Sequence, residues 1–270
     1  MIGAIVGDVI GSVYEFHNKK TKNVDLFTSL MHPTDDSIMT IAVMDTLLMY
    51  ETLNFHDLEP FKADLIKNMV KWYNRYPKAG YGRMFASWLL GDNAYKPYGS
   101  FGNGSAMRIS PVAYVSHSLE EVKALSKAVS EISHNHPFGI KGAEAIASII
   151  YLTKNGKNKL YIDDYICKHY YPNLSLIKYE DLLRNYRFDS TCEGSVPQAI
   201  YCFLISKDFE DCLRTSISIG GDTDTICAMS SSIAEAYYKG VPQDIELEVR
   251  KHLPSDILEV IDRFNERFCK

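Results

Sequence analysis

The stretch SIGGDTDTICAMSSSIAEAYY, residues 218–238, sets the problem of this chain. Ile226, Met229, Ile233 and Tyr237 fall at spacings of three and four, the period of an amphipathic helix. Two glycines and the sequence Asp222-Thr223-Asp224-Thr225 stand at its mouth. One aspartate there reads as an N-cap, accepting the free N–H groups of the first turn. A cap needs one carboxylate, and the residues that follow are too apolar for a solvated face. The second carboxylate must either face solvent or meet a cation.

The same period recurs along the chain, at 38–52, 57–75, 79–90, 119–132, 138–153, 195–206 and 243–267, and a further helix is read over Ser105 to Tyr114. Alternating runs are scarce, TSISI (215–219) being one weak strand-like case. With no internal repeat, low-complexity segment or linker, the reading is one all-α domain over 1–270, a compact multi-helix bundle. Gly3, Gly7 and Gly11 recur every four residues in the first apolar segment, leaving a groove for another backbone. On its own that groove denotes packing rather than chemistry.

Composition narrows the function. The 270 residues are 46% hydrophobic and 23% charged, ordinary for a protein with a substantial core. A net charge of −5 argues against nonspecific nucleic-acid binding, which needs a cationic field. Cys167, Cys192, Cys202, Cys212, Cys227 and Cys269 form no CxxC pair and read as structural thiols in a reducing compartment. The segment MIGAIVGDVIG carries Asp8 and no basic flank, unlike a signal peptide or anchor, so a cytoplasmic protein with no membrane partner is expected; a monomer is expected as well.

A second acidic pair occurs in HPTDDSIMT, where Thr34 adjoins Asp35 and Asp36 at the start of another apolar helix. Alone, each motif reads first as a cap with acidic first-turn residues. If the two helix starts converge, however, four carboxylates crowd together, and their joint ionisation is unfavourable without a cation. Carboxylate and hydroxyl oxygens without Cys or His suit Mg²⁺ or Mn²⁺ rather than Zn²⁺, and two such ions about 3.5–4 Å apart can share one donor set. A calcium loop starting at Asp222 fails, because it would need Gly where Cys227 stands and Glu where Ile233 stands.

Other segments offer ligand-binding backbone. KPYGSFGNGSAMR (96–108) is a glycine-rich turn entering a helix, suited to phosphate but lacking the end of a Walker loop, and KAGYG (78–82) is a weaker case. Glu15 stands seven residues after Asp8, so the two share a face if the helix persists, either as a solvated helix end or as a buried acid or base. SHNHP places His134 and His136 before a helix start at Pro137, where either can cap and pack.

Taken in order, GDVIGSVYEF, TDDS, GNGSAMR, SHNHP, GSVPQAIYCFL and GGDTDTI resemble the ADP-ribosylglycohydrolase family over nearly the whole chain. The resemblance implies an all-α bundle around a dinuclear magnesium centre, with Mn²⁺ the alternative ion. It implies Thr34, Asp35, Asp36, Asp222, Asp224 and Thr225 on the metals, and Glu15, Asp36 and Asp222 in the chemistry. It also implies Gly80, Gly82, Ser100, Phe101, Gly102 and Asn103 along the diphosphate of ADP-ribose, Phe101 under the adenine, and His134 near the ribose. The implied reaction is hydrolysis at the anomeric carbon of ADP-ribose linked to an acceptor, whether protein, small molecule or nucleic-acid base. Whether Glu15 or a metal-site aspartate protonates the leaving group stays open. This chain departs from the family pattern at Ser37, where Thr is usual, and at Phe138, where an acidic residue is frequent, which bears on the acceptor side.

Two other readings compete. A phosphatase of the haloacid dehalogenase type uses D-x-D after an apolar stretch, but only 48 residues follow Asp222 and Ile226 stands where Thr is required. A non-catalytic ADP-ribose reader or structural protein on the same fold would be marked by lost metal-ligand residues, and none is lost.

Overall fold

The computed structural model describes residues 1–269, among which fifteen α-helices and no strands occur. The helices are α1 (Gly3–Gly11), α2 (Asp35–Leu48), α3 (Glu59–Arg75), α4 (Arg83–Leu89), α5 (Gly104–Met107), α6 (Val112–Val115), α7 (Leu119–Glu131), α8 (Pro137–Lys154), α9 (Lys159–His169), α10 (Tyr179–Asn185), α11 (Cys192–Ile205), α12 (Phe209–Ile219), α13 (Thr223–Tyr238), α14 (Gln243–Arg250) and α15 (Ser255–Phe268). One isolated antiparallel bridge joins Gly102 to Thr191.

α13 is the axis of the bundle. Every residue from Thr223 to Glu235 is buried, and α1, α8, α11 and α12 pack around it. α1 lies antiparallel to it with backbone against backbone, and the glycine stripe is the reason. A Cβ at Gly3 would stand 2.6 Å from the Ser231 carbonyl oxygen, at Gly7 2.1 Å from that of Cys227, and at Gly11 2.7 Å from the Asp224 Cα. Glu235 fixes the far end by accepting the N–H groups of Ile2 and Gly3, both at 2.8 Å. With the register set, the C-terminal end of α1 arrives at the N-terminal end of α13. The groove read from sequence thus places Asp8 and Glu15 beside Asp222 and Asp224.

Several boundaries differ from the sequence reading. TSISI is helical within α12: all five residues are buried, so its hydroxyls face neighbouring helices, not solvent. Thr215 and Ser216 donate to carbonyls four residues back, and Ser216 Oγ also meets Ser230 Oγ of α13 at 2.7 Å. The 243–267 helix is two, since Pro254 at the N-cap of α15 ends the run. Pro111 likewise divides 105–114 into α5 and α6. α9 and α10 escaped the periodicity because few of their residues are buried. No helix among the described residues is long and apolar enough to cross a membrane.

Candidate metal centre and substrate cavity

Asp8 organises the acidic end of the molecule. Fully buried on α1, it accepts four hydrogen bonds from the first turn of α2. These come from Thr34 N (2.9 Å), Thr34 Oγ1 (2.6 Å), Ser37 N (3.0 Å) and Ser37 Oγ. Ser37 thereby supplies the hydroxyl that its position needs. The bonds add to the ordinary N-cap, in which Thr34 Oγ1 accepts from Asp36 N at 3.3 Å, and Asp36 Oδ2 accepts from Thr225 Oγ1 at 3.1 Å. Asp36 Oδ1 is buried with no hydrogen-bond partner among the described residues.

The other half comes from the Gly220-Gly221 turn. Both glycines have positive φ, 65° and 84°, which L side chains rarely adopt. Asn18 holds the turn by accepting from Gly221 N (2.6 Å) while its amide donates to the carbonyls of Tyr14 and Glu15. The segment carrying Glu15 is therefore tied to the segment carrying Asp222 and Asp224. Asp222 sits at the N-cap of α13 but makes no capping bond, accepting instead from Asn103 Nδ2 at 2.7 Å. Neither aspartate of the pair serves as the N-cap acceptor: Asp224 Oδ1 takes the adjacent Thr225 N–H at 2.9 Å.

Two carboxylate triads result, Asp8–Asp36–Asp224 and Glu15–Asp222–Asp224, each with ligand oxygens within 4.8 Å of one another. Asp224 belongs to both. Burial, reinforced by the neighbouring carboxylates, raises Asp35, Asp36 and Asp224 well above the usual range. Burial also takes Asp222 to about 6, against the opposing hydrogen bond from Asn103. Glu15 rises to about 7, through burial and then the charges of Asp224 and Asp8. An oxygen-only donor set, an orphaned buried carboxylate oxygen and mutual repulsion are the features that a hard divalent cation relieves. The residues fit a divalent cation of that kind. Three of the four bonds that Asp8 accepts fall on Oδ2 and one on Oδ1, so Asp8 both ties α2 to α1 and keeps an oxygen within the first triad.

The triads open into a cavity of about 480 Å³. Of the residues expected from sequence, Glu15, Thr34, Asp35, Asp36, Gly80, Gly82, Ser100, Gly102, Asn103, His134, Asp222, Asp224 and Thr225 all line it. Gly80 adopts φ +99°, and Asn103 N donates to Ser190 O at 2.8 Å, which pins the GNG turn to the chain entering α11. Phe101 does not line the cavity: its ring, 48% exposed, lies 5.4 Å from that of His136. Phe138 also stands outside the lining, against His136 at 5.1 Å. His136 caps α8 through Phe138 N, whereas His134 is buried at the cavity wall. Sequence reasoning missed Phe16, Met84 and Phe188 at this site, because isolated exposed apolar residues carry no periodic signal.

The ADP-ribosylglycohydrolase family model matches residues 1–270. The chain belongs to the ADP-ribosylglycohydrolase family. It is 26% identical to ADP-ribosylhydrolase ARH3 of Homo sapiens over 340 residues, covering 96% of this chain and 90% of that protein. It is 23% identical to ADP-ribosyl-[dinitrogen reductase] glycohydrolase of Rhodospirillum rubrum, over 88% of this chain and 83% of the other. The solved structure of an ADP-ribosylglycohydrolase-related protein complex superposes with a TM-score of 0.71 at 18% identity, covering 98% and 95% of the two chains. The all-α ADP-ribosylglycohydrolase fold read from sequence is thus shown by structure as well.

Proposed function

We propose that this chain is a divalent-metal-dependent hydrolase that cleaves the bond between the anomeric carbon of ADP-ribose and an acceptor. The observation that carries the reading is the pair of carboxylate triads sharing Asp224 at the floor of a cavity walled by glycine-rich turns. In this reading Thr34, Asp35, Asp36, Asp222, Asp224 and Thr225 hold two Mg²⁺ or Mn²⁺ ions, as the family resemblance implies. Bound there, the ions would fix ribose hydroxyls and acidify a water.

The chain's own residues do the rest. The backbones of Gly80, Gly82, Ser100, Gly102 and Asn103 approach the diphosphate, since a turn without side chains exposes its N–H groups. Phe101, exposed beside the cavity, offers adenine a stacking face. Glu15 spans the gap between metal-site carboxylates and solvent, where it takes the proton of the attacking water or gives one to the leaving group. Carboxylates around the sugar stabilise the positive charge that develops on it. The family membership and the retention of every expected ligand residue favour this hydrolase over a non-catalytic reader.

The test is to incubate the protein and Mg²⁺ with ADP-ribose linked to arginine, serine, a nucleic-acid base and small alcohols, and to measure free ADP-ribose. Release from at least one acceptor, abolished by chelation and by Asp36→Asn, is expected. Tight ADP-ribose binding without release from any acceptor would favour the reader.

A further inference from the structure

Arg108 is fully buried and no carboxylate among the described residues pairs with it. Its Nη2 donates to Val129 O (3.2 Å) and to Ser133 Oγ (3.0 Å), while Nε and Nη1 have no hydrogen-bond partner among the described residues. The Phe85 ring covers the guanidinium at 5.2 Å. A buried, unpaired guanidinium is costly, and so is retained here for something other than stability. What it reaches is the cavity wall.

Ser133 Oγ lies 2.8 Å from His134 Nδ1. Arg108 is a donor only, so the serine oxygen accepts from it, and the serine hydrogen is left to find an acceptor. Among the described residues Ser133 Oγ has just these two side-chain partners, and that acceptor is Nδ1. The alternative, Nδ1–H donating to the serine, would leave a buried hydroxyl hydrogen unpaired. The opposite ring nitrogen, Nε2, then carries the imidazole proton. It lies against the GNG turn, where a Cβ at Gly104 would come within 2.9 Å of it and one at Gly102 within 3.6 Å. Burial and then the charge of Arg108 keep the ring neutral.

We infer that Arg108 and Ser133 are positioning residues that lock His134 as the neutral Nε2–H tautomer, a fixed hydrogen-bond donor to an oxygen of the ligand in the cavity. That the ligand is ADP-ribose rests on the function proposed above; the tautomer itself does not.

The experiment is a long-range ¹H–¹⁵N correlation spectrum of ¹⁵N-histidine-labelled protein, the His134 signals assigned by their loss in His134→Gln. The natural protein should show one tautomer, protonated at Nε2. In Ser133→Ala the pattern should shift toward mixed tautomers and ADP-ribose affinity should fall about five- to tenfold, the scale of one neutral hydrogen bond; Ser133→Thr should restore both. A natural protein protonated at Nδ1, or an Ser133→Ala spectrum unchanged at His134, overturns the lock. An altered tautomer with unchanged affinity overturns its service to the ligand. Failure of the natural protein to bind ADP-ribose at all would remove the functional reading and leave the tautomer result standing.

Discussion

Gly7 of α1 packs so closely on Cys227 of α13 that a Cβ would lie 2.1 Å from the Cys227 carbonyl oxygen. The neighbour is backbone in the middle of a buried helix and cannot step aside. Gly7→Ala should therefore force α1 outward, at the ~1–3 kcal/mol typical of overpacking or more, and draw Asp8 off the start of α2. Gly82→Ala is the control, because nothing lies within 4 Å of its Cβ position. Denaturant melts of the two variants check this; equal, small losses would contradict the close approach.

Metal removal should make stability depend on pH in a defined direction. In the metal-free protein Asp222 is raised from 3.8 to about 6 and Glu15 from 4.5 to about 7. The folded state thus binds protons more tightly than the unfolded chain. This contribution is fully present below about pH 4 and lost as pH rises through 6 to 7. Thermal melts in chelator should fall between pH 5.5 and 8, and added Mg²⁺ should raise the midpoint more at pH 8 than at pH 5.5. A metal-free midpoint that climbs across that interval would refute the carboxylate cluster as described.

Glu15 should matter to turnover far more than to binding. Glu15→Gln keeps the size of the side chain and removes its proton chemistry, so ADP-ribose affinity should stay within a few fold while turnover drops ~10²-fold or more. Steady-state kinetics with calorimetry decide it. Turnover near that of the natural protein would make Glu15 a helix-end residue only.

Phe101 tests where the adenine lies. Its ring is half exposed and outside the cavity lining, so its loss leaves no core void. Phe101→Ala should leave the melting midpoint within a degree or two and weaken ADP-ribose binding by about 1–3 kcal/mol, the usual worth of a stacked base. ADP-ribose titration provides the measurement. Unchanged affinity would move the adenine to another face.

Much of this was legible because the decisive motifs are local. TDDS and GGDTDTI each write their chemistry into a few consecutive residues at a helix start, and Gly3, Gly7 and Gly11 announce close packing by their spacing. What stayed hidden depends on partners distant in sequence. Asp8 reads as one polar residue in an apolar run until α2 is seen resting on it. Arg108 ends the GNGSAMR motif with no role legible there, and only the fold shows it sealed behind His134. TSISI misled because a buried helix face of small hydroxyl residues has the same alternation as a strand. The direction of the Phe101 ring, outside the cavity lining and against His136, is likewise not written in its motif.

The antiparallel embrace of α1 and α13 also sets an order of events during synthesis. All nine residues of α1 are buried, and the surface they bury against spans residues 223–235. During vectorial synthesis the first helix emerges more than two hundred residues before the helix that covers it. Its glycine-rich, apolar face has no final home until α13 has been made, a topology of long sequence separation that slows folding and exposes the nascent chain to misassembly. The same delay keeps the carboxylates of the two halves apart until α13 emerges, so their repulsion is met only when that helix docks.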